Sequence, residues 1–271
     1  MMLAQPQTQT IRLPNEWQPR PYQRKLWDFL EAGGKRACAV WHRRAGKDSL
    51  ACNWAAVAAM QRVGLVFHCA PELSQVRKIV WNGIDALGRR VIDQAFPKEL
   101  RESTHDNEMR IRFVNGSVWQ AVGSDNVDSL VGTNPVGIIF SEFALADPRA
   151  WELMRPILAE NDGWALFIST PRGENHMADL YNMAKQSPDW FAELLTVNDT
   201  KAITAEAIER ERAAGMPDSM IKQEFFCSFV AGVAGAYYGE YFGRAQAERT
   251  HWQGAMGACA CYAYRLGFGL R

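Results

Sequence analysis

The stretch that decides the fold of this chain is ACAVWHRRAGKD, residues 37–48. Its apolar first half predicts a buried strand, and a helical pattern over residues 48–61 follows its Gly-Lys pair directly. A strand, a basic turn and a helix start are the parts of a phosphate-binding loop, in which backbone N–H groups and the helix N-terminus face an anion. A lysine at the end of such a loop places its charge between the β- and γ-phosphates of a nucleotide. The sequence therefore predicts nucleotide binding by Ala45, Gly46, Lys47 and Asp48.

The loop departs from the common phosphate-binding pattern G-x-x-x-x-G-K-S/T in two places. Trp41 stands where the first glycine would be, and Asp48 stands where the serine or threonine would be. A solvated turn between a strand and a helix explains the segment by itself equally well. The choice between these two interpretations depends on the rest of the chain.

Composition limits the class of protein without selecting a function. The 271 residues are 48% hydrophobic and include ten tryptophans, enough for one large core or two small ones. Lys and Arg number 30, as do Asp and Glu, so the net charge gives no sign of a nucleic-acid partner. No apolar run reaches the length of a membrane span, and no signal-like leader begins the sequence. We expect no membrane association and a reducing cytoplasmic setting.

Buried strands alternate with helical patterns as far as residue 175. The pattern predicts an α/β fold, with a mostly parallel sheet and helices on both of its faces. Further on, the pattern is mainly helical and predicts a small, lid-like helical subdomain. The predicted strands are 63–70, 136–140, 164–168 and 191–197, with a hairpin at 109–113 and 118–122; the predicted helices are 76–87, 150–159, 178–185, 205–214 and 219–226.

Three of the predicted strands are followed by residues with chemically active side chains. Lys47 follows the first strand, Glu142 follows another, and Ser169-Thr170 follow a third. Ligands in open parallel sheets bind just beyond the carboxyl ends of the strands, so we expect these side chains to meet at one edge. A carboxylate held rigidly there can orient water against a γ-phosphate. Glu142 alone would more simply be a solvated strand end, but a Gly-Lys loop in the same chain favours the catalytic role.

Four motifs in order resemble those of the large terminase subunits, the ATPases that pump DNA into the heads of tailed bacteriophages. They are RPYQ at 20–23, RRAGKD at 43–48, IIFSE at 138–142 and STPRG at 169–173. They are similar to the adenine-contacting Q motif, Walker A, Walker B with its catalytic Glu, and the coupling motif. The segment DSLVG at 128–132 also falls in the family's usual place. The resemblance covers residues 19–245 and implies a P-loop NTPase fold.

The resemblance also implies roles for individual residues, with ATP and Mg²⁺ as cofactors. Catalysis would fall to Glu142, which polarises the attacking water, and to Arg43 or Arg44, one of which stabilises transition-state charge; the choice between them stays open. Nucleotide binding would use Gln23 against the adenine edge, Tyr22 beside it, and Lys47 on the phosphates. Coupling of γ-phosphate loss to DNA movement would use Ser169 and Thr170.

The sequence shows two departures from the family's pattern, the first of which involves a pair of positions. P-loop enzymes hold Mg²⁺ with a Ser or Thr after the Lys and with an Asp that closes the Walker B strand. Here those positions are Asp48 and Ser141, as if one carboxylate and one hydroxyl had changed places. We hypothesise that Asp48 holds Mg²⁺ with support from Ser141. The other departure is Val131, where many terminases carry an arginine that reaches a neighbouring subunit; Arg149 and Arg155 are the candidates to replace it.

The predicted organisation has four parts. Residues 1–18 form a flexible segment, 19–175 the ATPase core, 176–245 the lid subdomain and a hinge near 237–242, and 246–271 an irregular tail. No Asp or Glu follows Glu248, so we expect no nuclease domain, which would need clustered carboxylates for two metal ions. A truncated or frame-disrupted gene, a prophage remnant and a natural short variant all fit this ending.

The resemblance implies partners as well. They are double-stranded DNA contacted through its phosphates, a portal protein, a small terminase subunit, and further copies of the chain in a pentameric ring. The expected location is the cytoplasm of an infected bacterium, and transiently the procapsid portal. Two alternatives remain: a helicase-like, DNA-dependent ATPase, and a degenerate prophage remnant without activity.

Overall fold

The computed structural model describes residues 16–85 and 87–230. Most of the predicted flexible N-terminal segment, the predicted hinge at 237–242 and the tail at 246–271 lie outside these residues. One sheet of eight strands organises the described part of the chain. The strands are β1 (Arg36–Trp41), β2 (Leu65–Ala70), β3 (Arg101–His105), β4 (Arg110–Phe113), β5 (Val118–Gly123), β6 (Pro135–Ser141), β7 (Trp164–Ser169) and β8 (Trp190–Leu195).

The strands lie in the order β3-β4-β5-β2-β6-β7-β1-β8. The last six strands of this order, β5-β2-β6-β7-β1-β8, pair in parallel. The strands β3 and β4 add an antiparallel ribbon to β5. The predicted hairpin is thus the pair β4 and β5. The helices are α1 (Arg24–Glu31), α2 (Lys47–Gln61), α3 (Leu73–Val76), α4 (Val91–Ala95), α5 (Arg149–Glu160), α6 (His176–Gln186), α7 (Val197–Thr200), α8 (Ala205–Ala213) and α9 (Asp218–Phe226).

The central strands are buried on both faces, which explains why their sequences are continuously apolar rather than alternating. In β6, Phe140 belongs to the core on one face, together with Met154 of α5. Its neighbour Ile139 belongs to the core on the other face, together with Leu50 of α2. Helices therefore cover both faces of a mostly parallel sheet, and the predicted P-loop-type α/β architecture is confirmed. No helix in the described ranges has the length and apolar character needed to cross a bilayer.

Three neighbouring strands position the site. β7 lies between β6 and β1, and its Ser169 is in register with Val40 of β1. Its Ile168 is in register with Ser141, the last residue of β6. The residues that follow these three strands consequently emerge side by side at one edge of the sheet, as the positions of the motifs predicted.

The predicted helix over 76–87 is wrong in its second half. The helical structure that begins with α3 ends with the turn Arg77–Trp81. The Asp85 carboxylate accepts hydrogen bonds from the backbone N–H groups of Leu87 and Arg89, at 2.8 and 2.9 Å. This local turn replaces the helical hydrogen bonds, as Asp side chains commonly do. Leu87 is 74% exposed, so its helical spacing did not mark a buried face.

A second difference concerns the ends of the sheet. The edge strand β3 (RESTH) was not predicted, because it is polar and largely solvent-facing. The predicted strand 191–197 ends at Leu195, since Thr196 accepts a hydrogen bond from the N–H of Asn198 and so caps α7. Beyond it, α7, α8 and α9 share a small core of their own, which consists of Val197, Ile208, Ile221 and Phe225. The predicted lid subdomain begins at residue 176, but α6 and β8 pack with β1 of the central sheet instead.

The contact between β6 and the start of β7 yields a prediction about stability. A Cβ atom on Gly137 would lie 2.2 Å from Cε2 of Trp164, whose ring is buried. We expect Gly137→Ala to lower the free energy of unfolding by about 1–3 kcal/mol, because the rigid indole must shift. Urea denaturation measures the change. In a Trp164→Leu background the same substitution should cost clearly less, and an equal cost in both backgrounds would contradict this packing.

Candidate active site

The loop between β1 and α2 has the shape that its sequence predicts. Gly46 takes the left-handed conformation at the helix start, with φ 77° and ψ 30°, which favours glycine. Arg44 is also left-handed, with φ 71°. The N–H of Ala45 bonds to the carbonyl of His42 across the turn. Trp41, at the position of the missing first glycine, is fully buried at the end of β1.

The Lys47 side chain joins the three strand ends. Its ammonium Nζ donates to Thr170 Oγ1 at 3.0 Å and to the Trp41 carbonyl at 3.2 Å, and it lies 3.8 Å from Glu142 Oε1. The side chain is only 6% exposed. A buried cation is costly unless hydrogen bonds and an opposite charge compensate it, and Lys47 has both. The meeting of Lys47, Glu142 and Thr170 is what the sequence predicted.

Glu142 has an uncommon backbone conformation for a residue that is not glycine. Its φ is 50° and its ψ is 47°, in the left-handed region directly after β6. Such conformations cost of order 1 kcal/mol and concentrate at functional sites. Here the turn directs the carboxylate along the sheet edge, where Oε2 accepts a 3.3 Å hydrogen bond from the backbone N–H of Thr170.

Asp48 and Ser141 are in direct contact, although 93 positions separate them in sequence. The Ser141 hydroxyl donates to Asp48 Oδ1 at 2.6 Å. Ser141 is 5% exposed, and Asp48 lies in the first turn of α2 beside Lys47. A carboxylate and a hydroxyl are oxygen donors of the kind that Mg²⁺ prefers.

The two coupling candidates occupy different positions. Thr170 touches Lys47 and Glu142 at the sheet edge. Ser169 is fully buried instead: its hydroxyl donates to the Thr170 carbonyl at 2.9 Å and accepts from the N–H of Ala144 at 3.1 Å. Ser169 therefore connects β7 to the turn that follows Glu142.

Gln23 and Tyr22 pack against the loop itself. The Gln23 amide donates to the carbonyls of Ala45 and Gly46 at 2.9 and 3.2 Å, and its Oε1 accepts from the N–H of Arg20 at 3.0 Å. The Tyr22 hydroxyl donates to the Ala45 carbonyl at 3.3 Å. Gln23 is 1% exposed, so its amide holds the loop backbone in this structure. Its contact with adenine stays a prediction.

The two candidate arginines differ in their surroundings. The Arg43 guanidinium donates to Glu224 Oε2 at 2.6 Å, and Arg172 contacts the other oxygen of the same carboxylate. Arg44 is exposed, and its side chain makes no hydrogen bond or ion pair within residues 16–85 and 87–230. Of the two, Arg44 therefore has the uncommitted guanidinium at the loop.

Glu224 is a central residue that sequence reasoning missed. It lies on α9 with a side chain 3% exposed, and it ties the helical subdomain to the loop and to the coupling motif. Burial alone would raise the pKa of its carboxyl, but the hydrogen bond from Arg43 and the charge of Arg172 outweigh burial and hold that pKa below its ordinary value. No local pattern marked it, because the polar residues Lys222 and Gln223 precede it and only Phe225-Phe226 follow as an apolar pair.

His42 makes a second connection to the helical subdomain. Its Nδ1 donates to the Arg43 carbonyl at 2.5 Å, and its Nε2 accepts from the Thr200 hydroxyl at 2.6 Å. Burial lowers the pKa of His42, so the ring is neutral at pH 7. The backbone N–H of His42 also bonds to the carbonyl of Leu195.

The candidates for an intersubunit arginine lie on the surface. Arg149 is paired with Asp147 by a 2.6 Å contact, and Arg155 is exposed on α5. Val131 is 59% exposed beside the left-handed Gly132. A single copy of the chain does not test a contact between subunits, so both arginines stay predictions.

Sequence comparisons relate this chain to large terminase subunits. It is 30% identical over 192 residues to the terminase large subunit of Escherichia phage T5, a match covering 69% of this chain and 42% of that protein. It is 27% identical over 164 residues to the terminase large subunit of Thermus phage G20c, covering 55% and 33%. The chain thus spans less than half the length of these curated relatives. No protein-family model matches it.

Solved structures give the same result for the fold. The large terminase ATPase domain of Thermus phage P74-26 is similar with a TM-score of 0.65 at 22% identity, covering 81% of this chain and 100% of that one. The large terminase of another thermophilic bacteriophage, in complex with ADP, is similar with a TM-score of 0.63 at 14% identity, covering 77% and 53%. The fold is that of a large terminase ATPase domain, and the resemblance predicted from the four motifs is confirmed.

The Glu224 contacts generate a prediction with a defined pH dependence. We expect Glu224→Gln to lower the free energy of unfolding at neutral pH by about 1–2 kcal/mol, because two arginines lose their charged partner. The loss stays moderate because Arg43 is partly solvated, which weakens its ion pair. The carboxyl has a lower pKa folded than unfolded, so its stabilisation is present above the ordinary value of 4.5 and is lost as the pH falls through the folded value. Urea denaturation of both proteins from neutral pH to about pH 3 measures the difference.

The control is Glu209→Gln, which removes an exposed ion pair with Arg212 on α8. Such pairs contribute little, so this variant should unfold within about 0.5 kcal/mol of the wild type. A Glu224→Gln effect no larger than that of the control, or one that grows as the pH falls, would contradict the structural role of the carboxylate.

Proposed function

We propose that this chain is the ATP-hydrolysing part of a viral DNA-packaging motor. The observation that carries the proposal is the meeting of Lys47, Glu142 and Thr170 at one sheet edge, with Lys47 Nζ 3.8 Å from Glu142 Oε1. The similarity to the phage T5 terminase large subunit supports it. So do the large terminase structures of the second thermophilic bacteriophage, which contain ADP and ATP-γ-S in the same fold.

In the proposed reaction, the loop and the N-terminus of α2 bind the triphosphate through backbone N–H groups. The Lys47 ammonium turns from its contacts with the loop carbonyls to the β- and γ-phosphates. Its position is restricted beforehand by burial and by Thr170, so little conformational entropy is lost on binding. Gln23 keeps the loop in shape by holding the carbonyls of Ala45 and Gly46.

Glu142 is the proposed catalytic carboxylate. It accepts a hydrogen bond from the attacking water and orients it toward the γ-phosphorus. The water oxygen bonds to that phosphorus as the bond to the bridging oxygen breaks and ADP leaves. One water proton stays on the phosphate formed, and the other passes through Glu142 to solvent. The left-handed turn and the Thr170 N–H hold the carboxylate in place. Thr170 touches both Lys47 and Glu142, so departure of the γ-phosphate changes its contacts directly. Ser169 carries the change to the turn after β6.

Mg²⁺ is the proposed cofactor. When bound, it neutralises charge on the β- and γ-phosphates. The donors present fit it, because Asp48 and Ser141 offer a carboxylate and a hydroxyl beside Lys47. In the described part of the chain no three or more His, Cys, Asp or Glu side chains are grouped to hold a metal ion. Mg²⁺ does not need such a group, since one or two carboxylates with substrate phosphates and water commonly suffice.

The motor role supplies the proposed setting and partners. The chain would act in the cytoplasm of an infected bacterium, assembled as a ring, pentameric in the family, on the portal of a procapsid and with a small terminase subunit. Double-stranded DNA in the ring would be contacted through its phosphates, independent of sequence. The reaction proposed for these residues is nucleotide hydrolysis, with no DNA-cutting step.

The first test separates binding from hydrolysis. We expect Lys47→Ala to lose ATP binding, because the substitution removes the main positive charge that would bind the phosphates. Glu142→Gln should bind ATP within about threefold of the wild type yet lose turnover by at least about 100-fold, because only the carboxylate orients water. Nucleotide titration and phosphate release, with double-stranded DNA and the cognate portal present, measure the two effects.

The surface variant Asp162→Asn serves as the matched control, because it removes an exposed carboxylate just before the start of β7, at the end of that strand opposite to the site. Wild-type turnover by Glu142→Gln would overturn the proposal. Strand separation without portal would favour a helicase, and a wild-type protein that neither binds nor hydrolyses ATP would indicate a degenerate remnant.

A second test separates the two arginines. Arg43→Ala should lower the melting temperature, because Glu224 loses a partner, whereas Arg44→Ala should leave it within about 1 °C. If Arg44 stabilises transition-state charge, its removal lowers kcat by at least about 100-fold with little change in KM. Steady-state kinetics and thermal melts of both variants check this; a kcat loss confined to Arg43→Ala would assign the role to Arg43 instead.

A further inference from the structure

We infer that the metal ligands of this site have exchanged positions, so that Asp48 on α2 supplies the charged ligand and Ser141 on β6 the hydroxyl. This assignment rests on the proposed ATPase function and adds to it a specific division of roles. It concerns the motif positions where the sequence departs most from other P-loop enzymes.

The geometry makes an exchange possible. The Ser141 hydroxyl and Asp48 Oδ1 are 2.6 Å apart, so the helix position and the strand position share one location. A group moved from one backbone to the other would arrive close to the same point. Ser141 directly precedes Glu142, and Asp48 directly follows Lys47. The pair therefore lies between the two residues that are proposed to act on the phosphates.

The charge of the site is kept by the exchange. P-loop enzymes provide a hydroxyl from the helix start and a carboxylate from the Walker B strand. Here the helix start provides the carboxylate and the strand provides the hydroxyl, which leaves one of each. Two carboxylates in such close contact would repel one another, and two hydroxyls would leave the metal without a charged ligand. Either single change is therefore expected to be harmful.

A purely structural role for Asp48 is the alternative. An acid in the first turn of a helix is favoured by the helix dipole by about 0.3–1 kcal/mol. Asp48 has no Lys or Arg within ion-pair distance among the described residues, and the nearby Lys47 contacts Glu142 instead. An uncompensated carboxylate next to a triphosphate would weaken nucleotide binding, whereas a cation between them turns the repulsion into attraction. The structural role therefore predicts that Asp48 weakens nucleotide binding, whereas the metal role predicts that it strengthens binding when Mg²⁺ is present.

The experiment compares Asp48→Thr, Ser141→Asp and the double variant Asp48→Thr/Ser141→Asp in the full chain. A fluorescent ATP analogue is titrated in Mg²⁺ and again in EDTA, and the ratio of the two dissociation constants reports metal-dependent binding. Electron paramagnetic resonance of Mn²⁺ with the nucleotide reports the metal directly, and neither readout depends on turnover. Thermal melts in EDTA show which variants are folded. Asp162→Asn is again the control.

We expect Asp48→Thr to lose the Mg²⁺-dependent gain in affinity by about 10-fold or more, because losing even an outer-shell partner of a metal ligand costs about 10–100-fold in metal affinity. The double variant should recover that gain to within about threefold of the wild type, since it restores one carboxylate and one hydroxyl. This comparison holds even if Ser141→Asp alone does not fold. Asp48→Thr with an unchanged Mg²⁺ ratio, or a folded double variant no better than Asp48→Thr, would overturn the exchange while leaving the ATPase proposal intact. A wild-type chain that binds no nucleotide in either condition would overturn both.

Discussion

The buried ammonium group of Lys47 is the interaction on which the rest of the site depends. It is nearly excluded from solvent, and it is stabilised by the Thr170 hydroxyl, the loop carbonyls and the Glu142 carboxylate. These partners come from the ends of three different strands. Burying the charge is costly unless all of these partners are in place, so the cation is stable only where β1, β6 and β7 end side by side. The parallel sheet supplies that arrangement.

Two further connections extend from this centre to the helical subdomain. Glu224 on α9 holds Arg43 of the loop and Arg172 of the coupling motif through one buried carboxylate. Neutral His42 links the loop to Thr200 at the end of α7. A change in the loop therefore has a direct path into α7 and α9 through short polar contacts. In the proposed motor, such contacts would transmit the state of the bound nucleotide to α7 and α9.

The part of the site that sequence could predict was the part governed by strand ends. Lys47, Glu142 and Thr170 each follow an apolar run, and parallel strands bring their carboxyl ends together. The contact between Asp48 and Ser141 was likewise expected from the motif positions. Glu224 was missed because nothing local to α9 reports that its acid faces residues more than fifty positions away. The helix over 76–87 was overextended because apolar spacing outweighed the turn made by Asp85, and polar β3 gave no periodic signal.

The central claim is that Lys47 and Glu142 act on one triphosphate at the carboxyl edge of the sheet. The most direct test is a crystal structure of the chain with Mg²⁺ and a non-hydrolysable ATP analogue. The expected result is a γ-phosphate in hydrogen-bond contact with Lys47 Nζ and a water molecule held between that phosphate and the Glu142 carboxylate. A triphosphate bound elsewhere, or bound with Glu142 facing away from it, would contradict the claim.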